Sequence, residues 1–222
     1  MSTNNCKEMV WDMETHVCTI IGNAPIMDFS MVRKEMKRDS FMIFCDGGLR
    51  YKDRLSVTPD LVIGDFDSCN EPLTGLDADI ISLPREKDDT DTMAAIKEGL
   101  KRGFKEFTLM GVSGGRMDHS LVNIYSLLYL KEHGAHGIIA DDHSKMELAD
   151  SKAIIIPPCF SFFSLLAITG PLENVTIKNA RFPLEKGSVF PSYQYAVSNE
   201  PLPGESAFVS VGKGTGLLIS VL

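Results

Sequence analysis

Leu61-Val62-Ile63-Gly64-Asp65-Phe66-Asp67-Ser68 is an apolar run too short for a helix, and it ends abruptly in two aspartates. A short, continuously apolar segment closed by turn residues reads as a strand buried on both faces, as in parallel sheets. Runs of the same kind lie on either side of it. Thr19-Ile20-Ile21-Gly22 and Phe41-Met42-Ile43-Phe44 precede it, and Ile80-Ile81-Ser82-Leu83, Phe107-Thr108-Leu109-Met110 and Gly137-Ile138-Ile139-Ala140 follow. Helical patterns fill the gaps. One begins near Asp89 or Thr90, sets Met93, Ile96 and Leu100 on one face and stops around Gly103. Another runs from His119 to His133 with Leu121, Ile124 and Leu128 as its buried stripe and Gly134 as its stop. Strands alternating with helices predict an α/β fold, a mostly parallel sheet flanked by helices.

The character changes after Asp142. Ala153 to Ile156, Phe160 to Ile168, Asn174 to Lys178, Tyr193 to Ser198, Ala207 to Val211 and Leu217 to Leu222 are short β-like pieces separated by Pro, Gly and Asn. Frequent turn signals between short strands suggest a small all-β sandwich or barrel. Two closely joined domains are expected, residues 1–142 forming the α/β part and residues 143–222 the β part.

Bulk properties narrow the function. The formal net charge of −8 disfavours a nucleic-acid backbone or an anionic membrane as partner, since both require a basic face. No apolar run reaches the roughly 18 residues a membrane-spanning helix needs. The segment from Met1 to His16 lacks the basic start and apolar core of a signal peptide, so a cytoplasmic location is expected. The five cysteines, Cys6, Cys18, Cys45, Cys69 and Cys159, have no paired zinc spacing, and an odd number reads as reduced thiols.

In open parallel sheets ligands collect at the carboxyl ends of the strands. Here those ends carry Cys45-Asp46-Gly47-Gly48, Gly64-Asp65-Phe66-Asp67-Ser68 and Gly111-Val112-Ser113-Gly114-Gly115-Arg116-Met117-Asp118-His119, while Lys87-Asp88-Asp89-Thr90-Asp91 opens a helix. Asp65 and Asp67, two apart in extended chain, face the same way about 6.5 Å apart at Cα. Asp88 and Asp91, three apart at a helix start, can share a face. Each like-charge pair at about 5 Å costs on the order of 3 kcal/mol at an effective dielectric near 20, a cost that a cation offsets. Hard oxygen donors at this density favour Mg²⁺. A lone Asp-x-Asp is usually a solvated turn, and a lone Asp88 or Asp89 a helix cap; their joint occurrence at strand ends argues for a site. Gly114-Gly115 lets backbone N–H groups approach an anion ahead of a helix N-terminus, and Arg116 offers a planar fork of donors suited to phosphate. Neither a P-loop nor a dinucleotide-binding glycine fingerprint is present.

Together the segments Asp46 to Gly48, Gly64 to Ser68, Lys87 to Asp91 and Gly114 to His119 resemble, in order and separation, the motifs of the thiamine pyrophosphokinase family. The likeness is good from Phe44 to Ile124 and weaker at Pro171 to Asn174 and Val197 to Glu200. It implies an N-terminal α/β catalytic domain, a C-terminal β-sandwich domain, and a homodimer whose active sites form between subunits. It implies diphosphate transfer from ATP to thiamine, giving thiamine diphosphate and AMP. By the same resemblance Asp46, Asp65, Asp67, Asp88 and Asp91 gather around Mg²⁺ and the ATP phosphates, with Gly47 and Gly48 in the same motif. Arg116 and Asp118 complete the phosphate and substrate surroundings, and Ser198 with Asn199 holds thiamine. His119 is either a phosphate contact or a polar residue at a helix start.

The only tryptophan, Trp11, lies outside the β domain, so the thiamine-stacking Trp that the resemblance leads one to expect there is absent, and Tyr193 or Tyr195 is left as a stand-in. Thiamine's alcohol is a weak nucleophile, so the work falls on aligning it with the β-phosphorus and neutralising charge toward AMP. Asp67 and Asp91 stand as catalytic metal ligands, and Asp91 or Asp118 as the proton acceptor. A hydroxymethylpterin pyrophosphokinase, a nucleotide-sugar glycosyltransferase and a non-catalytic sensor are the rivals. The glycosyltransferase leaves the Lys87 to Asp91 and Gly114 to His119 segments unexplained.

Overall fold

A computed structural model describes residues 17–66, 73, 75–86 and 88–222. Asp67, Ser68, Lys87, Trp11, Cys6 and Cys69 lie outside the described residues. The apolar runs become β1 (Val17–Ile21), β2 (Phe41–Cys45), β3 (Leu61–Gly64), β4 (Asp79–Ser82), β5 (Glu106–Met110) and β6 (His136–Ala140). All pair in parallel, in the order β4-β3-β2-β1-β5-β6. The chain winds outward from β1 to β4, then returns to lay β5 on the other side of β1. The strand order therefore reverses between β1 and β5, which makes that crevice the expected ligand position.

Alternation along the strands loads both faces. Cys18, Ile20, Ile43, Leu61, Ile63 and Leu109 pack with Ile96 of α3 (Asp91–Lys101) and with Leu127 and Leu130 of α4 (Met117–Glu132). Ile21, Met42, Phe44, Val62 and Met110 pack on the opposite face with Val32 of α1 (Ser30–Glu35) and Leu55 of α2 (Lys52–Leu55). Among the described residues no helix is long and apolar enough to cross a membrane.

The sheet does not stop at position 142. β7 (Ser144–Ala149) pairs antiparallel with β6, β13 (Gly216–Val221) with β7, and β9 (Phe162–Ala167) with β13, so the chain's last strand returns to the main sheet. A second, antiparallel sheet of β11 (Leu184–Val189), β10 (Leu172–Lys178), β12 (Ala207–Lys213) and β8 (Ile154–Ile156) packs over this extension. Their shared core holds Phe163, Leu165 and Leu218 from one sheet and Val175, Ile177, Val209 and Val211 from the other. The fold is thus α/β with a C-terminal antiparallel sandwich, one layer of which is continuous with the parallel sheet.

Three local expectations change. The buried face of α4 is Ser120, Asn123, Ser126, Leu127 and Leu130, while Leu121 is half-exposed. Polar residues occupy the inner face because they hold the loop before the helix: Asn123 Nδ2 donates to Val112 O at 2.7 Å, and Ser120 Oγ accepts from Gly114 N at 2.9 Å. Thr90, not Asp89, caps α3, its Oγ1 accepting from Met93 N at 3.1 Å, and Asp89 instead pairs with Lys97 at 2.6 Å. Tyr193 to Ser198 is irregular chain laid along the edge of β9. Leu165 N donates to Ala196 O, and the Gln194 amide both accepts from Ala167 N and donates to Ala167 O at 3.0 Å, so a side chain pairs this edge backbone as a strand would.

Candidate functional site

A cavity of about 620 Å³ opens at the carboxyl ends of the parallel strands, across the β1/β5 crevice. Its volume is in the range of sites that enclose small molecules. Asp46, Asp65 and Asp91 all line it, delivered by the ends of β2 and β3 and by the first turn of α3. Asp46 is buried and adopts φ +45°, an uncommon conformation that asparagine and aspartate tolerate better than most residues. Behind it Cys45 is fully enclosed; burial above all, then the nearby Asp91, Cys18 and Asp46, push its thiol pKa well up. Asp46 and Asp91 therefore bear on the same point of the sheet from two loops.

The DGG turn lies tight against β1. A Cβ on Gly48 would stand 2.5 Å from Ile21 O and 2.7 Å from Gly22 O, both backbone atoms, so only glycine permits this approach. On the other side, Gly114 and Gly115 take φ +94° and +68° and bend the chain from β5 into α4, leaving both residues on the cavity wall. Arg116 and His119 line the same wall.

Arg116 is exposed and forks onto Asp118, its Nε and Nη2 donating to the two carboxylate oxygens. That guanidinium, more than any other group, holds the Asp118 carboxyl down at about 2. Paired in this way, Asp118 is a weak proton acceptor at neutral pH.

Other candidates fall differently. Gly47 is buried beneath the cavity beside Asp46. Asp88 is exposed and does not line the cavity, whereas its neighbour Asp89 does. Asp67 lies outside the described residues. Ser198 and Asn199 lie beyond β9, four strands from β5, a span of about 19 Å at ordinary strand spacing. Asn199 is buried, its Oδ1 accepting from Phe182 N at 3.0 Å and its Nδ2 donating to Phe182 O at 2.7 Å. Tyr193 and Tyr195 are exposed near this segment, with ring centroids 5.6 Å apart.

Asn23, Ala24, Pro25, Arg85, Thr92 and Asn123, which no motif marks in the sequence, also line the cavity. The signal for the first three was topological. The loop after β1 borders the reversal of strand order, but the three residues it gives to the cavity carry no charge. A larger groove of about 870 Å³ lies at the opposite, amino ends of β2 and β3. Of its three acids, Asp60 Oδ2 accepts from Met42 N at 2.7 Å and Asp53 pairs with Lys52 at 2.9 Å.

Residues 32–139 match the family model described as thiamin pyrophosphokinase, catalytic domain. Thiamin pyrophosphokinase 1 of Caenorhabditis elegans is 23% identical over 146 residues, a segment that is 62% of this chain and 60% of that protein's length. Thiamine pyrophosphokinase from Bacillus subtilis superposes with a TM-score of 0.81 at 20% identity, covering 92% of this chain and 98% of the other. The yeast thiamin pyrophosphokinase gives a TM-score of 0.76 at 15% identity over 94% and 87% of the two chains. These structural likenesses extend through the C-terminal sandwich and establish the shared fold. Over residues 32–139, a little under half of its length, this chain is similar to the thiamin pyrophosphokinase catalytic-domain family.

Proposed function

We propose that this protein transfers the diphosphate group of ATP to the hydroxyl of thiamine, releasing AMP. The observation that carries the proposal is the convergence of Asp46, Asp65 and Asp91, from three separate loops, on one cavity that also holds Gly114, Gly115 and Arg116. Carboxylates crowded beside phosphate-binding glycines and a guanidinium suit a divalent cation and a polyphosphate taken up together.

The donor set fits Mg²⁺. Its candidate ligands are carboxylate oxygens, the hard donors that Mg²⁺ takes in ones and twos alongside phosphate. Among the described residues no three acids are already gathered for a metal, so Asp46, Asp65 and Asp91 would hold it in ones and twos, with Asp67 as a further candidate beside Asp65, whereas Asp88 lies off the cavity. When bound it supplies neutralisation of phosphate charge. The chain's own groups do the rest. The Gly114–Gly115 turn admits phosphate oxygens to the backbone, and Arg116 turns its fork from Asp118 to the transferred group as charge builds toward AMP. Losing that partner lets the Asp118 carboxyl rise from about 2, which makes it a better proton acceptor once nucleotide is in place. Asp91 is the alternative acceptor.

Ser198, Asn199 and the exposed Tyr193 and Tyr195 are too remote to reach the cavity of their own protomer. We therefore assign the thiamine contact from this segment to a homodimer, in which one copy's sandwich faces the other's cavity. Mass spectrometry after incubation with ATP, thiamine and Mg²⁺ tests the function. Thiamine diphosphate and AMP in equal amounts are expected. ADP as the product, or AMP release that depends on a hydroxymethylpterin in place of thiamine, would contradict it.

A further inference from the structure

The wall of the cavity formed by Asn23, Ala24 and Pro25 is not braced by its own backbone alone. Gly22 N donates to Met110 O and Ala24 N to Gly111 O, both at 2.8 Å, and the loop's far shoulder is tied where Met27 N donates to Asp142 Oδ2 at 2.9 Å. Between these points the loop rests on one hydroxyl. Tyr51 Oη donates to Ala24 O at 2.9 Å, accepts from Ile26 N at 3.2 Å and accepts from Arg50 Nη2 at 2.7 Å. A phenol has one proton to give and two lone pairs to offer, so every hydrogen-bonding position on this oxygen is used. Arg50 Nη2 also donates to Asn23 O at 2.9 Å, so the guanidinium links the hydroxyl to the loop's first residue.

Packing sets the hydroxyl's position. Tyr51 is 5% exposed, the Phe29 ring meets it edge-on at 5.7 Å, and the Arg50 guanidinium lies 4.7 Å from its ring centroid. The loop in turn touches both anion-facing segments. A Cβ on Gly47 would stand 2.5 Å from Asn23 Nδ2, and one on Gly115 would meet Pro25 Cδ at 3.4 Å. A shift of this loop therefore moves against the DGG turn on one side and the Gly114–Gly115 turn on the other.

Resting on the diphosphotransfer reading above, we infer that Tyr51 and Arg50 are positioning residues for that reaction, fixing the separation of the DGG and Gly-Gly-Arg turns through the Asn23–Ile26 loop. Neither lines the cavity, so neither is a catalytic residue. The pair governs how well the cavity is shaped for the nucleotide's phosphates, and its loss registers on ATP rather than on thiamine.

Tyr51→Phe keeps the ring and removes the hub; Arg50→Met keeps an apolar stem on an exposed residue and removes the guanidinium's bonds to the hydroxyl and to Asn23 O, with its contact on the Tyr51 ring. Two readouts apply to both variants. Amide hydrogen exchange in the peptide spanning residues 22–29, measured without substrate, should quicken by about fivefold, the equivalent of one lost hydrogen bond. Steady-state kinetics should show the ATP KM raised by about fivefold, with kcat and the thiamine KM changed by less than about twofold. Unchanged exchange and unchanged ATP KM in both variants would overturn the inference, as would a fall in kcat at constant ATP KM. If the wild-type protein makes no thiamine diphosphate, the functional reading fails, while the exchange measurement, needing no substrate, still decides whether the brace exists.

Discussion

Replacing Gly64 by alanine should injure the site through Asp46 without touching a charged group. An added Cβ at Gly64 would stand 3.0 Å from Asp46 Cβ, 3.1 Å from its Cα and 3.2 Å from its N. Carbon atoms rest comfortably at about 3.5–4.0 Å, so something must yield by about half an ångström. The neighbours offer no flexible side-chain end to swing aside. Two of these atoms are backbone, Cys45 is locked to Ile63 in the parallel ladder, and Gly64 itself is paired with Ser82. Asp46 also holds φ +45°, a conformation with few adjacent alternatives. Forcing a methyl group into a packed site costs about 1–3 kcal/mol, which for a domain of this size lowers the melting temperature by about 2–10 °C. Misplacing a reacting constellation by about 1 Å can cost about 10²-fold, so half that displacement should lower turnover by roughly tenfold. Thermal denaturation by circular dichroism and a magnesium titration of activity measure the two effects. A Gly64→Ala protein with the parent's melting temperature and magnesium dependence would show that Asp46 is not held where the metal argument needs it.

The remaining expectations are smaller and independent. Thr90→Ala removes the side-chain cap of α3 and should cost about 1 kcal/mol, read by urea denaturation. Arg116→Ala should raise the ATP KM and let the Asp118 carboxyl, held at about 2 chiefly by that guanidinium, climb toward its ordinary 3.8, as followed by carbon-13 NMR. The sign follows from a depressed folded-state pKa: the pairing contributes above the unfolded value and is lost as pH falls through about 2, so acidification toward pH 2 should erase the difference between parent and variant. Among the described thiols, Cys159 is exposed while Cys18 and Cys45 are buried, and burial pushes both buried pKa values up. Iodoacetamide on the native protein should label Cys159 well before either, with peptide mapping as the check.

The parallel half of the fold was legible because its inner strands β1, β2, β3 and β5 are buried on both faces and so read as unbroken apolar runs, whereas β4, read as buried too, is a largely exposed edge strand with Ile80 46% exposed. The aspartates at their ends drew attention for the same reason, being charges placed where burial stops. Other features depended on contacts distant in sequence. β7, Ser-Lys-Met-Glu-Leu-Ala, carries charges at two of its six positions, and only its place between β6 and β13 makes it a strand. Gly216–Val221 reads as a strand from its own residues, but nothing local says that it returns to the main sheet. Leu121 and Ile124 suggested an apolar stripe on α4, whereas the inner positions went to Ser120 and Asn123 because the glycine loop needs their hydrogen bonds. In the site, the acids and glycines announced themselves by chemistry. Asn23, Pro25 and the Tyr51 hub contribute by position, which depends on the reversal of strand order at β1 and not on residue type.

Anomalous diffraction from crystals grown with Mn²⁺ and a non-hydrolysable ATP analogue tests the central claim most directly. The account predicts a manganese peak within about 2.0–2.3 Å of carboxylate oxygens from at least two of Asp46, Asp65 and Asp91, with phosphate oxygens completing its shell. A nucleotide bound elsewhere, or bound in the cavity with no metal near these side chains, would contradict it.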